Sequence, residues 1–309
     1  VFLSKGRNSD VSTNNERMAN RVSWNSIVIN SLLSAFKLIA GVVSGSSAMI
    51  SDAAHSMSDV FSTLIVIAGI RMAGKKSDKE HQYGHERFEC AAALLLAGVL
   101  FITGLGIGYA SVRKIIAGRG EELAMPGALA LAAAVVSIAV KEWMFRYVRA
   151  AALKIDSCAL VADAWHHRSD ALSSVASFAG ILGARTGYPA LDPAAGALIC
   201  AFIIKAAFEV FTDSIGRMTD RACDDKTLAD IRAVILEYGE VEAIDQLKTR
   251  IFGDRIYVDV EIGVDGGSTL YEAHDTAERV HEAIEAKFPK VKHCMVHVNP
   301  TYGEARGGD

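Results

Sequence analysis

The sequence lacks the cysteine patterns that staple or metallate small domains. Its five cysteines, Cys90, Cys158, Cys200, Cys223 and Cys294, are scattered, odd in number and form no Cys-x-x-Cys pair. That argues against a disulfide framework or a thiolate zinc site and leaves them as small buried residues. No His-Glu-x-x-His phrase occurs, so a metalloprotease of that type is not indicated. Excess positive charge is missing too. The formal net charge is −4, which offers no basic surface for nucleic acid. Residues 1 to about 20 are polar, with no apolar core or cleavage signal, so no secretory signal peptide is expected.

What the chain has in quantity is apolar residues, 51% of the total, with a positive mean hydropathy. That is too apolar for an ordinary soluble domain of 309 residues. The apolar residues fill the region from about Val22 to Phe211, and the last third reads as a soluble domain. Charge divides the same way. From Ala222 to Asp309 there are 10 Lys and Arg against 18 Asp and Glu, which makes that stretch −8 and the remainder +4. An acidic tail suits a domain that handles cations and equally a solvated acidic surface.

Six apolar runs follow one another, at about Val22–Val43, Ala48–Met72, Phe88–Val112, Met125–Val148, Ser157–Ala184 and Ala194–Thr212. Each is about as long as a crossing of the hydrocarbon core requires. Gly45-Ser46 makes a tight connection, Lys114–Glu122 a polar loop, and Tyr188-Pro189 through Asp192-Pro193 a turn. The third run carries Gly98, Gly104, Gly106 and Gly108, which permit close helix approach. Asn30 and Lys37 in the first run, Lys141 and Glu142 in the fourth, and Lys205 and Glu209 in the sixth are polar or charged groups to be placed. Lysines and arginines cluster in the N-terminal arm, in the Lys75–Arg87 loop and after Arg146. The positive-inside rule therefore puts both ends of the chain in the cytoplasm.

Two copies of one phrase stand inside these runs: Asp52-x-x-His55-x-x-Ser58-Asp59 in the second and Asp163-x-x-His166-x-x-Ser169-Asp170 in the fifth. On a helix, His and Asp four apart share a face. Ionisable groups within a membrane span are costly, and their default reading is a functional site facing the bundle interior. One such pair could be hydrogen-bonding glue between helices. Two matching pairs offer two imidazole nitrogens and two carboxylate oxygens, a set that suits a tetrahedral divalent metal, zinc first. The second and fifth runs are antiparallel, and each histidine lies about ten residues into its run, near the bilayer midplane. An inverted repeat with binding groups at the midplane is how many secondary transporters are built.

The tail reads differently. Asp225–Tyr238 has helical spacing, Ile244–Phe252 and Arg255–Val264 alternate as strands, Leu270–Phe288 is a helix and His293–Val298 a strand. That order suits a small α+β sandwich.

Together with the loop phrase His81-x-Tyr83-Gly84-His85-Glu86-Arg87-Phe88-Glu89 and the ending His297-x-Asn299-Pro300, the paired motifs make the chain resemble the cation diffusion facilitator family over nearly its whole length. The resemblance implies an α-helical membrane protein: a six-transmembrane-helix bundle followed by a cytoplasmic α+β ferredoxin-like domain, assembled as a homodimer. The divisions expected are an arm over 1–21, a transmembrane domain over 22–213, a linker over 214–223, a cytoplasmic metal-binding and dimerisation domain over 224–303, and a short tail over 304–309. The implied activity is export of a divalent metal across the inner (plasma) membrane in exchange for protons, with no enzymatic step, no required cofactor and no nucleic-acid partner. A membrane-bound metal sensor without flux is the alternative.

Carried over residue by residue, the resemblance places the transported metal on His55, Asp59, His166 and Asp170. Histidine at both positions resembles the zinc-type set; iron, cobalt, cadmium and manganese remain open. Asp52, Asp163 and His167 are expected to hydrogen-bond the ligands rather than bind metal. Asp78, His81 and His85 match a second metal site at the cytoplasmic face. Arg87 and Asp220 match an ion pair that ties the bundle together. Asp245, Asp259, His274 and His297 align best with the tail's metal ligands, although carboxylates replace some histidines there and Asn299 stands where an Asp is often found.

Overall fold

A computed structural model of the chain describes residues 2–44, 47–117, 128–185 and 191–301. Gly45-Ser46, most of the loop expected around Lys114–Glu122, the Tyr188-Pro189 turn and the last residues of the tail lie outside that set. Two compact units emerge. One comprises residues 16–215, and the other residues 1–15 with residues 216–309.

The larger unit is helical. Its elements are α1 (Phe2–Ser44) from residue 16 onward, α2 (Ser47–Ala73), α3 (Arg87–Ala117), α4 (Ala128–Ile155), α5 (Cys158–Arg185) and α6 (Leu191–Met218) up to residue 215. These follow the six apolar runs, with one difference at the start. The residues before Val22, expected as a polar arm, continue α1 as helix. No proline lies between residues 1 and 44 to stop the helix that the apolar run begins. Asn14–Ala40 and Arg87–Arg113 are the two helical stretches, among the described residues, that are long and apolar enough to cross a membrane. Large apolar side chains point outward from most of these helices, including Val43, Phe61, Ile102, Leu153 and Phe208. A water-facing protein does not tolerate so broad an apolar surface.

Packing between helices depends on close approach at a few points. A Cβ at Gly69 of α2 would stand 2.4 Å from the Ala92 Cβ of α3, and one at Gly108 of α3 would stand 2.5 Å from the Cys200 Sγ of α6. Gly98 and Gly106, expected to act similarly, face open space. Cys90 and Cys158 meet in the interior with their sulfurs 3.5 Å apart, as small packing residues. The turn from α4 into α5 is tight. Asp156 takes the left-handed conformation (φ 59°) just past α4, and the Ser157 N–H returns to the Ala152 carbonyl at 3.0 Å, a Schellman closure. The Ser157 hydroxyl then accepts from the Leu160 N–H and opens α5. This connection lays α4 and α5 side by side, which matters for the site below.

The smaller unit runs α7 (Asp225–Ile235), β1 (Ala243–Phe252), β2 (Arg255–Asp265), α8 (Leu270–Lys287) and β3 (Val291–Thr301). It makes a three-stranded mixed sheet in the order β1-β2-β3, with β2 antiparallel to β1 and parallel to β3. The even-numbered residues of β2, Val258, Val260 and Ile262, turn toward Ile231 and Ile235 of α7 and Val280 and Ile284 of α8, forming one apolar core. Each such side chain, fully buried, contributes about 1.5–3 kcal/mol. Both helices are capped. Asp224 accepts from the Thr227 N–H, and Thr269 with Glu272 forms a reciprocal capping box. These hydrogen bonds to backbone N–H groups hold the Asp224 and Glu272 carboxyls below their ordinary range.

Candidate metal centre

Asp59, His166 and Asp170 come together deep in the helical unit. Asp59 sits midway along α2, and His166 and Asp170 sit one turn apart on α5. All three are buried, and their ligand atoms lie within 4.8 Å of one another. His166 Nε2 is 3.4 Å from Asp59 Oδ1. His55 lies one helical turn before Asp59 on α2, but its side chain, like that of Asp52, falls outside the described residues.

A fourth group enters this pocket. Lys141, midway along α4, places its Nζ 2.6 Å from Asp59 Oδ2 and 3.0 Å from Asp170 Oδ2. Burying two carboxylates is unfavourable unless a positive charge and hydrogen bonds accompany them. Here one ammonium serves both, and Lys141 is only 1% exposed. The sequence signal was available, since a lysine in the middle of an apolar run demands a named partner. It did not identify the partners, because Asp59 and Asp170 are 82 and 29 residues away in the chain.

Behind the cluster is a second layer. Asp163 accepts a hydrogen bond from the Thr63 hydroxyl of α2 at 3.3 Å, and His167 Nε2 lies 3.6 Å from Asp163 Oδ2. Both Asp163 and His167 are fully buried. Neither joins the three-residue group. Thr63 also bonds back to the Asp59 carbonyl, and is a supporting residue that sequence reasoning missed. On the neighbouring helix pair, Lys37 of α1 donates to the Ser56 hydroxyl of α2, and Ser34 donates to the Ala53 carbonyl. These contacts fix α1 against the α2 turn that carries His55.

Asp78, His81 and His85 form the other potential metal group among the described residues, in the loop between α2 and α3. Asp78 Oδ1 accepts from the backbone N–H groups of Glu80 and His81, an Asx turn that sets the loop's shape. His81 Nδ1 and His85 Nε2 lie 3.5 and 3.3 Å from the two Asp78 oxygens. The two imidazoles are 4.4 Å apart by ring centroid, and His85 stacks on Phe88. Gly84 turns the chain between them at φ 105°, a conformation suited to glycine. The hydrogen bond from the His81 N–H holds the Asp78 carboxyl below its usual range, so it is ionised in neutral and mildly acidic water.

The tail residues are not gathered in this way. Asp259 and His297 lie on the outer, odd-numbered face of the sheet, opposite the helices. His274 sits exposed on α8, in the helical layer on the other face. Asp245 lies at the bulge in β1 and accepts from Asn299 Nδ2 at 2.8 Å; the same amide is 3.4 Å from Glu261 Oε2. Strand alternation was legible, but which face the helices cover was not, and that separates the expected quartet. Arg87 opens α3 in the larger unit. Asp220 belongs to the smaller one, where it holds a left-handed conformation (φ 60°) just past α6. There the Arg221 N–H closes onto the Gly216 carbonyl at 2.9 Å.

A buried pair of carboxylates with an imidazole, set midway along helices whose outer faces are apolar, is a donor set able to hold a cation inside a membrane protein. Comparison with known proteins places it more closely. A family model of the cation efflux transmembrane domain matches residues 23–218, and one of the cation efflux protein cytoplasmic domain matches residues 223–301. An uncharacterised transporter of Methanocaldococcus jannaschii is 37% identical over 274 residues, spanning 89% of this chain and 95% of that protein. The magnetosome protein MamB of a Magnetospira species is 32% identical, over 90% and 94% of the two chains. The manganese efflux system protein MneP of Bacillus subtilis is 28% identical, over 94% and 98%. The chain belongs to the cation diffusion facilitator family, and it is a membrane metal efflux transporter rather than an enzyme.

Proposed function

We propose that this protein exports a divalent metal, zinc first, from the cytoplasm in exchange for protons. The observation that carries the reading is the buried Asp59–His166–Asp170 group. His55, one turn from Asp59 on α2, completes a set of two imidazoles and two carboxylates, which suits tetrahedral zinc. Manganese is the first rival, since carboxylates also suit it and one relative is named for its efflux.

In this reading α1 to α6 each cross the inner membrane, with both chain ends in the cytoplasm. Metal enters from the cytoplasm and meets ligands that must be deprotonated to bind it, so metal and protons compete for one site. Histidine titrates near neutral pH, which places that competition in the physiological range. The helices rock to face outward, release the metal, take up protons and return. Asp78, His81 and His85 form an accessory site at the membrane surface. The tail domain pairs two copies into a homodimer. The tail quartet is not part of the proposed site, because its members lie on different faces of that domain.

The test is metal flux into proteoliposomes loaded with a metal dye and a pH dye, offering zinc, manganese, iron and cobalt in turn. Metal uptake matched by proton release supports the exchange. Metal uptake that proceeds unchanged with no proton movement overturns it, and binding with no flux favours a sensor.

A further inference from the structure

Lys141 holds one oxygen of each of the two carboxylates proposed to bind the transported metal. Its ammonium touches Oδ2 of both Asp59 and Asp170, at 2.6 and 3.0 Å, and all three side chains are buried. A zinc ion binds a carboxylate oxygen at about 2.1 Å. That bond and the 2.6 Å contact together would keep the two cations within about 4.7 Å of each other if both used Asp59 Oδ2. At that separation, away from water, like charges repel strongly. Lysine also carries its charge on a compact head at the end of a flexible four-carbon stem, so the head can move while α4 stays in place.

We propose that Lys141 is a tethered cation that competes with the transported metal for Asp59 and Asp170. The ammonium neutralises the two carboxylates when the metal is absent, withdraws when metal binds and returns when metal leaves. It stays charged throughout, and no bond is made or broken beyond these contacts. Two consequences follow. The empty carrier changes direction without two bare carboxylates in its interior, a state that burial makes costly. Selection also favours divalent over monovalent ions, because a monovalent ion brings no more charge than the ammonium it must displace and lacks its tether. The proposal rests on the reading of Asp59 and Asp170 as metal ligands. It differs from a static cross-link in sign. Removing a cross-link loosens the carboxylates and weakens metal binding, whereas removing a competitor strengthens it.

The experiment is zinc titration calorimetry on the full chain in lipid nanodiscs, in an Asp78→Asn background that silences the loop group. Lys141→Gln should tighten zinc binding on the order of tenfold, the scale of neighbouring-residue effects at metal sites. Lys141→Arg, whose planar guanidinium holds two carboxylates more firmly, should weaken it. Asp170→Ala should remove it. Unchanged or weaker zinc binding in Lys141→Gln, with Asp170→Ala still abolishing it, makes Lys141 a static cross-link and overturns the proposal. Undiminished binding in Asp170→Ala removes the ligand reading itself, and the proposal with it. Should the glutamine variant fail to fold, a zinc-loaded structure of the unaltered chain decides. An ammonium moved out of hydrogen-bond reach of both carboxylates supports competition, and one still bridging them beside a bound zinc refutes it.

Discussion

The mid-helix cluster and the α2–α3 loop cluster use the same side chains and solve opposite problems. In the loop, Asp78 is open to water and held by two backbone N–H groups, so its charge needs no partner and its imidazoles are already arranged around it. In the bundle, Asp59 and Asp170 are shut away from water, and one lysine carries their compensation. A site fixed by backbone can hold metal steadily. One whose charge balance depends on a movable ammonium can take metal up and give it back. On the function proposed above, the difference separates a resident position from a transit position.

The first way to break the comparison is through stability, where the largest effect is expected. Replacing Lys141 with Met leaves two buried carboxylates without their cation, and the loss of one partner of a buried charge group costs about 3–5 kcal/mol. Thermal unfolding in detergent should show a large drop without zinc that closes when zinc is added. Asp78→Asn should leave the unfolding temperature nearly unchanged, because the amide oxygen still accepts the Glu80 and His81 N–H groups. A similar loss in both variants would erase the distinction.

An intermediate effect is expected behind the site. Asp163→Asn replaces the carboxyl that faces His167 while keeping an acceptor for Thr63. Transport in proteoliposomes should fall by about 10–100-fold, as for other supporting residues around metals, without being abolished. The smallest effect concerns acid. The Asp78 carboxyl is held below its ordinary value, so the charged form is favoured by the fold. That contribution is complete above the unfolded carboxylate range and is lost only as pH falls through the depressed folded value. Lowering the pH from 7 to 5 should therefore leave an Asp78 carboxylate signal in the NMR spectrum unmoved. Titration of that signal within this interval would show that the loop is not held as described.

Much of this was legible in the chain. The six apolar runs became six helices, and the tail order of helix, strand, strand, helix and strand held, with ends moved by a few residues. Periodicity reports such elements directly. The paired His and Asp spacing likewise located Asp59, His166 and Asp170, because a helix fixes what lies one turn away. Contacts between distant segments were not legible. Lys141 was visible as a charge in an apolar run, yet nothing local says that α4 packs beside α5 with its lysine reaching Asp59 of α2. The placement of the tail quartet was not legible for the same reason, here in a sheet. Alternation shows that Asp259 and Val260 point to opposite faces, but not that α8, with His274, covers the Val260 face. The left-handed backbone of Asp220 just past α6 was not legible either, since its charge says nothing of its φ.

The central claim is that metal crosses through the bundle cluster and not through the loop. It is tested most directly by comparing zinc flux in proteoliposomes bearing Asp170→Ala and Asp78→Asn. The account predicts flux at the empty-vesicle background for the first and measurable flux for the second. Flux surviving Asp170→Ala and vanishing in Asp78→Asn would contradict it.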